Sequence, residues 1–218
     1  MTPATQQSLP RIALCHCKAF PRSLASALGP AYVVTMLKWY LLSDKRFLFY
    51  IEEPATNRVI GYCGGMVQDG TALMGSSSGM AQESFWAAAR ALALRPWVFF
   101  HPELRNKYRF IWRNILVKLG IKKLKPKTGV GFNGPEDRKE PEAGLVVIGV
   151  DPAFQGLGYG AQLLQAFERH CMEVYGISKF HLTVRAANNQ AIRAYERNGW
   201  EKVREERGSV LMMKRTSK

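Results

Sequence analysis

The chain has 218 residues, 47% of them apolar, and a formal net charge of +14 at pH 7. These values predict one domain with its own core and with room for an insertion. No apolar run reaches the roughly 20 residues that a membrane-spanning helix needs, and the N-terminus lacks the basic and apolar stretches of a secretory signal, so we expect a cytoplasmic protein. The excess of Lys and Arg favours anionic partners and disfavours polyamines.

A strand, two helices and two further strands are predicted in the N-terminal third. Alternating side chains predict the first strand. Gly29 ends the first helix, and Pro30 starts the second, because proline is tolerated in the first turn of a helix. The predicted ranges are 11–18 for the first strand, 23–28 and 30–42 for the helices, and 47–51 and 59–67 for a strand pair with its turn at 54–57.

The first predicted strand contains the triplet Cys15-His16-Cys17, whose side chains are all common metal ligands. On a strand, however, residues i and i+2 share one face and His16 points the other way. No second Cys/His pair has zinc spacing. We therefore interpret the cysteines as small buried thiols and expect no metal site.

Residues 70–143 lie between the third and fourth predicted strands and are interpreted as a basic helical insertion within the single domain of residues 1–218. An Ala-rich helix is predicted over 80–94 and a second helix over 102–119. Residues 105–127, which begin inside this second helix, contain nine basic residues, and Glu103 is the one nearby acid. The basic residues are Arg105, Lys107, Arg109, Arg113, Lys118, Lys122, Lys123, Lys125 and Lys127.

Three interpretations of this insertion stay open. It forms a solvated helical lid whose apolar face packs on the core, or it walls a site for an anionic acceptor such as a nucleotide-linked or lipid-linked amino sugar or an RNA-bound amine. In the third, it lies on an anionic membrane surface, which Tyr108, Phe110 and Trp112 among the Lys and Arg residues would suit.

A glycine-rich turn follows the fourth predicted strand. The β-branched run 145–150 predicts a buried strand, and the loop at 155–160 precedes an amphipathic helix over 161–174. Glycines at such a junction let backbone N–H groups approach an anion, and the helix dipole adds to the attraction. The spacing excludes a nucleoside-triphosphatase loop and a dinucleotide fingerprint, which needs an early βαβ unit.

A fifth strand is predicted over 179–184, and a hairpin of strands 201–206 and 209–214 closes the chain. Between them lies a second motif, Asn188-x-x-Ala191-x-x-x-Tyr195, followed by Gly199-Trp200. Together with Gln155-x-x-Gly158-x-Gly160, this ordered pair resembles the GNAT superfamily of acyl-CoA-dependent N-acetyltransferases. Trp200 replaces the family's Phe. The likeness covers about residues 144–215 well and the first 70 residues loosely.

The resemblance implies an α/β fold with a mixed, mostly antiparallel central sheet flanked by helices, and acetyl-CoA as co-substrate. In the family the fourth and fifth strands splay apart and the pantetheine arm pairs with the fourth strand. Gly149 is expected to mark the bulge that opens this gap; the alternative is a small residue under a packed side chain. The implied coenzyme-binding residues are Ile148, Gly149, Val150, Gln155, Gly156, Leu157, Gly158, Tyr159, Gly160, Ala161, Asn188 and Ala191.

The resemblance also implies that Tyr195 is the general acid that protonates the CoA thiolate. A phenol with a pKa near 10 is protonated at neutral pH and can donate; the alternative is a core tyrosine on a helix stripe. Asn188 contacts CoA, caps its helix, or does both. The candidate general bases, none of them favoured, are Glu52, Glu53, Glu142 and His181.

The implied activity is transfer of an acetyl group to a primary amine by direct attack within a ternary complex. The acceptor is a small-molecule or carrier-linked amine, either anionic or at a membrane. An alternative is a non-catalytic module that binds CoA or a partner through the basic insertion. Nucleic acid is not expected as a partner, because no RNA-recognition or helix-turn-helix pattern is present. The acceptor's identity, the acyl length and the oligomeric state are left open by the sequence.

Overall fold

The described residues are built around a seven-stranded sheet. The computed structural model describes residues 1–68, 80, 83–104, 140–206 and 208–216, and the strand order is β1-β2-β3-β4-β5-β7-β6. Neighbouring strands are antiparallel except for β4 and β5, which are parallel. This confirms the predicted mixed, mostly antiparallel sheet. The strands are β1 Thr2–Pro3, β2 Arg46–Glu53, β3 Arg58–Gln68, β4 Glu142–Val150, β5 Lys179–Arg185, β6 Glu201–Glu206 and β7 Ser209–Arg215.

Helices cover both faces of the sheet. The described ones are α1 Leu9–Ala19, α2 Leu24–Leu28, α3 Pro30–Lys38, α4 Phe85–Leu94, α5 Tyr159–Tyr175 and α6 Asn189–Arg197. Short 3-10 turns follow α3, α4 and β4, at Trp39–Leu42, Pro96–Phe100 and Pro152–Phe154. Within the described ranges, no helix is long and apolar enough to cross a membrane.

The strand predicted over residues 11–18 is wrong, because this segment is helix α1. Its buried side chains Leu9, Ile12, Ala13 and His16 recur with the helical period, and Pro10 stands in the first turn, where proline favours a helix. His16 is consequently buried and its Nδ1 lies 2.5 Å from the Tyr62 hydroxyl. Burial lowers the pKa of this imidazole to about 4, so the ring is neutral at physiological pH.

The other predicted elements agree with the structure except at their ends. The β2–β3 pair, the long helix after the glycine-rich turn and the closing hairpin are all present. The Ala-rich helix has its continuous part at Phe85–Leu94. Most of the predicted insertion, including nearly all of the helix over 102–119, lies outside the described residues and remains a prediction.

Two apolar layers hold the sheet. On one face α5 and α6 bury Leu163, Phe167 and Ile192 in a cluster with inward side chains of β2, β3, β4, β5 and β7. On the other face α1 and α3 bury Ile12 and Leu37 against β2 and β3. Since both layers meet β4, this strand has a fixed position between them.

Glu168 of α5 joins this helix to the last hairpin. Its buried carboxylate accepts hydrogen bonds from Trp200 Nε1 at 3.2 Å and from Lys214 Nζ at 2.8 Å. Lys214 also donates to the carbonyl of Asn198 at 2.8 Å. The cluster therefore links α5 to β7 and to the turn before β6.

We predict that Glu168→Ala lowers the free energy of unfolding by about 2 kcal/mol, because it leaves a buried indole N–H without its acceptor and takes the carboxylate partner from the Lys214 ammonium group. Urea denaturation measures the change. The matched control is Glu173→Ala, an exposed carboxylate on the same helix, for which we expect a change below about 0.5 kcal/mol. Equal effects of the two substitutions would contradict the assigned role.

Candidate active site

A cleft opens between β4 and β5. The two strands pair only where Ala143–Leu145 lie beside Phe180–Leu182. Beyond these residues β4 continues to Val150 and β5 to Arg185 without pairing to each other. The splay that the resemblance implied is therefore present, and it exposes one backbone edge of β4.

The backbone groups on this edge belong to Ile148 and Val150. The N–H of Asp151 donates to the carbonyl of Ile60 on β3 at 2.8 Å. Because alternate residues of an antiparallel strand point their backbone groups to opposite sides, Gly149 also faces β3, whereas Ile148 and Val150 face the cleft. The carbonyl of Val150 accepts from Gln155 Nε2 at 3.2 Å.

The bulge expected at Gly149 lies elsewhere. Gly64 pairs with Val147 and Gly65 with Leu145, so Val146 is the extra residue. Gly149 pairs with Tyr62 in regular register. A Cβ at Gly149 would lie 2.9 Å from Phe20 Cε2 and 3.0 Å from Tyr62 Cε1. This residue is thus small because of its packed neighbours, as the alternative interpretation held, and the bulge prediction is wrong.

The glycine loop (residues 155–160) has the geometry of an anion cradle. Gly156 and Gly158 have φ of 80° and 84°, values that side chains with a Cβ rarely adopt. A Cβ at Gly156, Gly158 or Gly160 would meet no atom within 4 Å, so the space in front of the loop is open. α5 begins at Tyr159, and no side chain caps its N-terminus. Its first N–H groups and its dipole are therefore available to an anion.

Asp151 fixes the chain between β4 and this loop. Its side chain is 3% exposed and is paired with Arg58 at 2.6 Å and with Lys18 at 3.5 Å. It also accepts from the N–H of Ala153 at 3.1 Å. Burial alone would raise the pKa of this carboxyl, but Arg58, the Ala153 N–H and Lys18 together hold it below its ordinary value. Sequence reasoning missed Asp151, although an Asp before Pro152 is a typical helix cap.

Asn188 and Tyr195 lie at the start and near the end of α6. The Asn188 carboxamide accepts from the N–H of Ala191 at 3.2 Å, so the capping interpretation is correct. The Tyr195 ring packs on the core, 6.3 Å from the centroid of Trp200. Burial raises its pKa to about 12, so the phenol is protonated at neutral pH. Its catalytic role remains a prediction.

The candidate bases have different surroundings. Glu52 pairs with Arg11 at 2.6 Å, and Glu53 accepts from Thr56 Oγ1 at 2.5 Å. His181 lies against Gly144, in the middle of the short segment where β4 and β5 pair. Its Nδ1 is 3.8 Å from Glu142 Oε1. Burial lowers the pKa of His181, although Glu142 acts in the opposite direction.

The sequence is similar to that of known acetyltransferases. The profile of the acetyltransferase (GNAT) family matches residues 16–200. Mycothiol acetyltransferase of Propionibacterium freudenreichii is 38% identical over 79 residues, 35% of this chain and 25% of that protein. Spermine/spermidine N(1)-acetyltransferase of Bacillus subtilis is 33% identical over 66 residues, 30% of this chain and 43% of that protein. The matched segments span less than half of either relative.

Solved structures share the fold. The PaiA N-acetyltransferase of Thermoplasma acidophilum in complex with coenzyme A has a TM-score of 0.52 at 10% identity, covering 99% of this chain and 100% of that chain. The ribosomal-protein-S18-alanine N-acetyltransferase of Escherichia coli has 0.52 at 16% identity, covering 100% and 93%. A histone acetyltransferase HPA2 and related acetyltransferase from Corynebacterium glutamicum has 0.53 at 14%, covering 100% and 96%. At these identities the likeness concerns the fold alone.

We predict that Asp151→Asn destabilises the protein by about 1 kcal/mol at pH 7, because the amide keeps the cap but loses the ion pairs. The folded-state pKa of Asp151 is depressed, so its contribution is present above the unfolded pKa of about 3.9 and is lost as the pH falls through the folded value. The difference in melting temperature between wild type and variant, measured from pH 7 to pH 3, should therefore shrink on acidification. A difference that is independent of pH would rule out the ionic role.

Proposed function

The chain belongs to the GNAT acetyltransferase family, and we propose that it transfers an acetyl group from acetyl-CoA to a primary amine. The observation that carries the proposal is the open anion cradle of the glycine loop directly beside an unpaired strand edge. A cradle of N–H groups suits a pyrophosphate, and an open edge suits an extended amide-containing arm. Acetyl-CoA contains both groups.

The proposed binding mode uses the backbone more than the side chains. Ile148 and Val150 offer the N–H and C=O groups of β4 to the pantetheine arm, with Gly149 between them. The N–H groups of the glycine loop and of Ala161 hold the pyrophosphate. Asn188 and Ala191 form the first turn of α6, which follows β5 beyond the cleft. The coenzyme thus lies along β4 with its phosphates at the N-terminus of α5.

In the proposed reaction the neutral amine attacks the thioester carbonyl of the bound coenzyme. A C–N bond forms, the C–S bond breaks, and the amine proton passes to solvent. Tyr195 donates its phenolic proton to the departing thiolate, and solvent then returns a proton to the phenolate. The raised pKa of Tyr195, about 12, keeps the phenol in the donor form throughout the physiological range.

We propose a small-molecule or carrier-linked amine with an anionic group as the acceptor. The names of two relatives point to small amine or thiol-containing compounds, one of them a polyamine. The net charge of +14 argues against a polyamine here. A surface potential of about one kT would lower the local concentration of a trication roughly twentyfold, whereas it concentrates anions. Acetyl-CoA as donor fits the cytoplasmic location expected from the sequence.

We predict that acetyl-CoA binds the purified protein with a dissociation constant of about 1–100 μM, and that Gly158→Glu weakens binding at least tenfold. The substitution puts a negative charge into the cradle and a Cβ on a residue whose φ is 84°. Isothermal titration calorimetry measures both affinities. Gly176→Glu, at another glycine of positive φ on the far end of α5, is the matched control. Absence of binding in the wild type would mean that the loop is only a structural turn.

We predict that Tyr195→Phe slows the release of CoA about a hundredfold and leaves the affinity for CoA unchanged. The thiol released in the presence of a panel of amines, with anionic amines included, measures the rate. The ring is retained, so the packing against Trp200 is conserved. Unchanged rates in the variant would assign Tyr195 to the core alone. If no amine releases CoA from a wild-type protein that binds it, the non-catalytic alternative holds.

A further inference from the structure

Large apolar side chains are exposed along α4 and the 3-10 turn that follows it. They form what we call the aromatic patch: Trp86 is 71% exposed, Leu94 69%, Trp97 66%, Phe99 56% and Phe100 83%. Single exposed apolar residues are ordinary on protein surfaces. Five within fifteen residues of sequence, on one helix and the turn that follows it, are not, and exposed apolar surface concentrated in this way marks a place that another body covers.

The solvent face of α4 is itself apolar. Exposed residues recur with helical spacing, and Ala89, Arg90 and Ala93 lie between Trp86 and Leu94 on this face. The outward face of a helix on a water-soluble protein is ordinarily polar. Here Arg90 is its one charged member. The composition of this face therefore suits a boundary between water and an apolar phase.

The patch faces outward because the inner side of the segment is engaged. Arg95 donates to the carbonyl of Ala27 at 3.1 Å, and the hydroxyl groups of Tyr32 and Ser84 are 3.3 Å apart. Val98 is 2% exposed. These contacts fix α4 and the 3-10 turn to α2 and α3. The aromatic side chains are thus held at the surface by a folded support.

The aromatic patch lies in a chain with a large excess of positive charge. Residues 85–102 contain Arg90 and Arg95 and no Asp or Glu, and Glu83 and Glu103 flank this segment. The sequence that follows, 105–139, contains eleven Lys and Arg residues and two acids, and the whole chain carries +14. A second copy of this chain would bring the same positive charge to the contact and would be repelled. An anionic lipid surface would be attracted, by about 1 kcal/mol for each basic residue close to it.

We propose that the aromatic patch inserts into the headgroup region of an anionic lipid bilayer and holds the protein at the membrane surface. Tryptophan favours this region because its ring is apolar while its indole N–H can bond to headgroups. Phenylalanine adds apolar area that is buried at the boundary with the acyl chains. The net charge of +14 supplies the attraction to anionic lipids. Each component alone gives weak binding, and the two together give a stable peripheral contact.

Membrane contact would orient the cleft. Glu103, which follows the 3-10 turn, forms an ion pair with Arg185 at the end of β5. This end of β5 borders the cleft between β4 and β5. The bilayer surface would therefore lie close to the open end of the proposed acetyl-transfer site, although lipid binding itself does not depend on that activity.

Sedimentation of the 218-residue chain with lipid vesicles tests the proposal. Vesicles of phosphatidylcholine alone are compared with vesicles holding about 30 mol% phosphatidylglycerol, at roughly 0.05 M and 0.5 M salt. We expect binding to the anionic vesicles at low salt, at least tenfold weaker in the variant W86S/W97S/F100S. The control variant L14S/V174S/V203S removes three apolar side chains that are 50–59% exposed elsewhere, and we expect it to bind as the wild type does.

Quenching by lipids with brominated acyl chains gives a second measurement that needs no patch variant. Trp112 is replaced by Phe so that it does not contribute to the fluorescence. Trp39 and Trp200 are buried, so quenching then reports on Trp86 and Trp97. We expect both to be quenched in anionic vesicles.

Unchanged vesicle binding in the patch variant, without quenching, would show that charge alone acts and would overturn the proposal. Equal binding to neutral vesicles would contradict the charge requirement. No binding in the wild type, with a concentration-dependent dimer that the patch variant abolishes, would assign the patch to a second copy.

Discussion

β4 is held by β3 along its whole length but by β5 only over Ala143–Leu145. The bulge at Val146 comes directly after this pairing ends. An extra residue bends a strand and increases its twist, which turns the rest of β4 away from β5. The site depends on this geometry, because it leaves an unpaired strand edge inside a sheet whose two faces are covered.

The packing around the bulge explains why it stays in place. Gly64 and Gly65 lie opposite it on β3. A Cβ at Gly64 would lie 2.7 Å from Tyr40 Cε1, and a Cβ at Gly65 would lie 2.6 Å from Phe167 Cε2. Aromatic rings from both apolar layers therefore press on the two glycines from opposite faces. These contacts fix β3 at the place that lies opposite the bulge.

The C-terminal half could be predicted from the sequence because its signals are local. Glycines at 156 and 158 are needed for positive φ, and the helical period of α5 is long and regular. The features that escaped prediction depend on distant contacts. Asp151 is fixed by Arg58, 93 residues away in sequence. The bulge lies in a β-branched run that carries no glycine at Val146, so its position comes from β3.

The N-terminal error has a different cause. Residues 11–18 alternate well enough to resemble a strand, and the helical pattern becomes clear only when Leu9 is included with Ile12, Ala13 and His16. Proline at position 10 favours the helix as well. Both periods were present in the sequence, and burial against β3 decided between them.

Charge and apolar exposure act over different distances on the outer surface. The attraction between exposed charges extends about 8 Å at physiological ionic strength, and positive charge occurs along much of the chain. Charge alone would therefore hold the protein near an anionic surface in many orientations. Insertion of side chains acts only at contact, and the aromatic patch is confined to Trp86–Phe100. The patch would then select one orientation of the protein on the membrane. The ion pair of Glu103 with Arg185 sets where the cleft lies in that orientation.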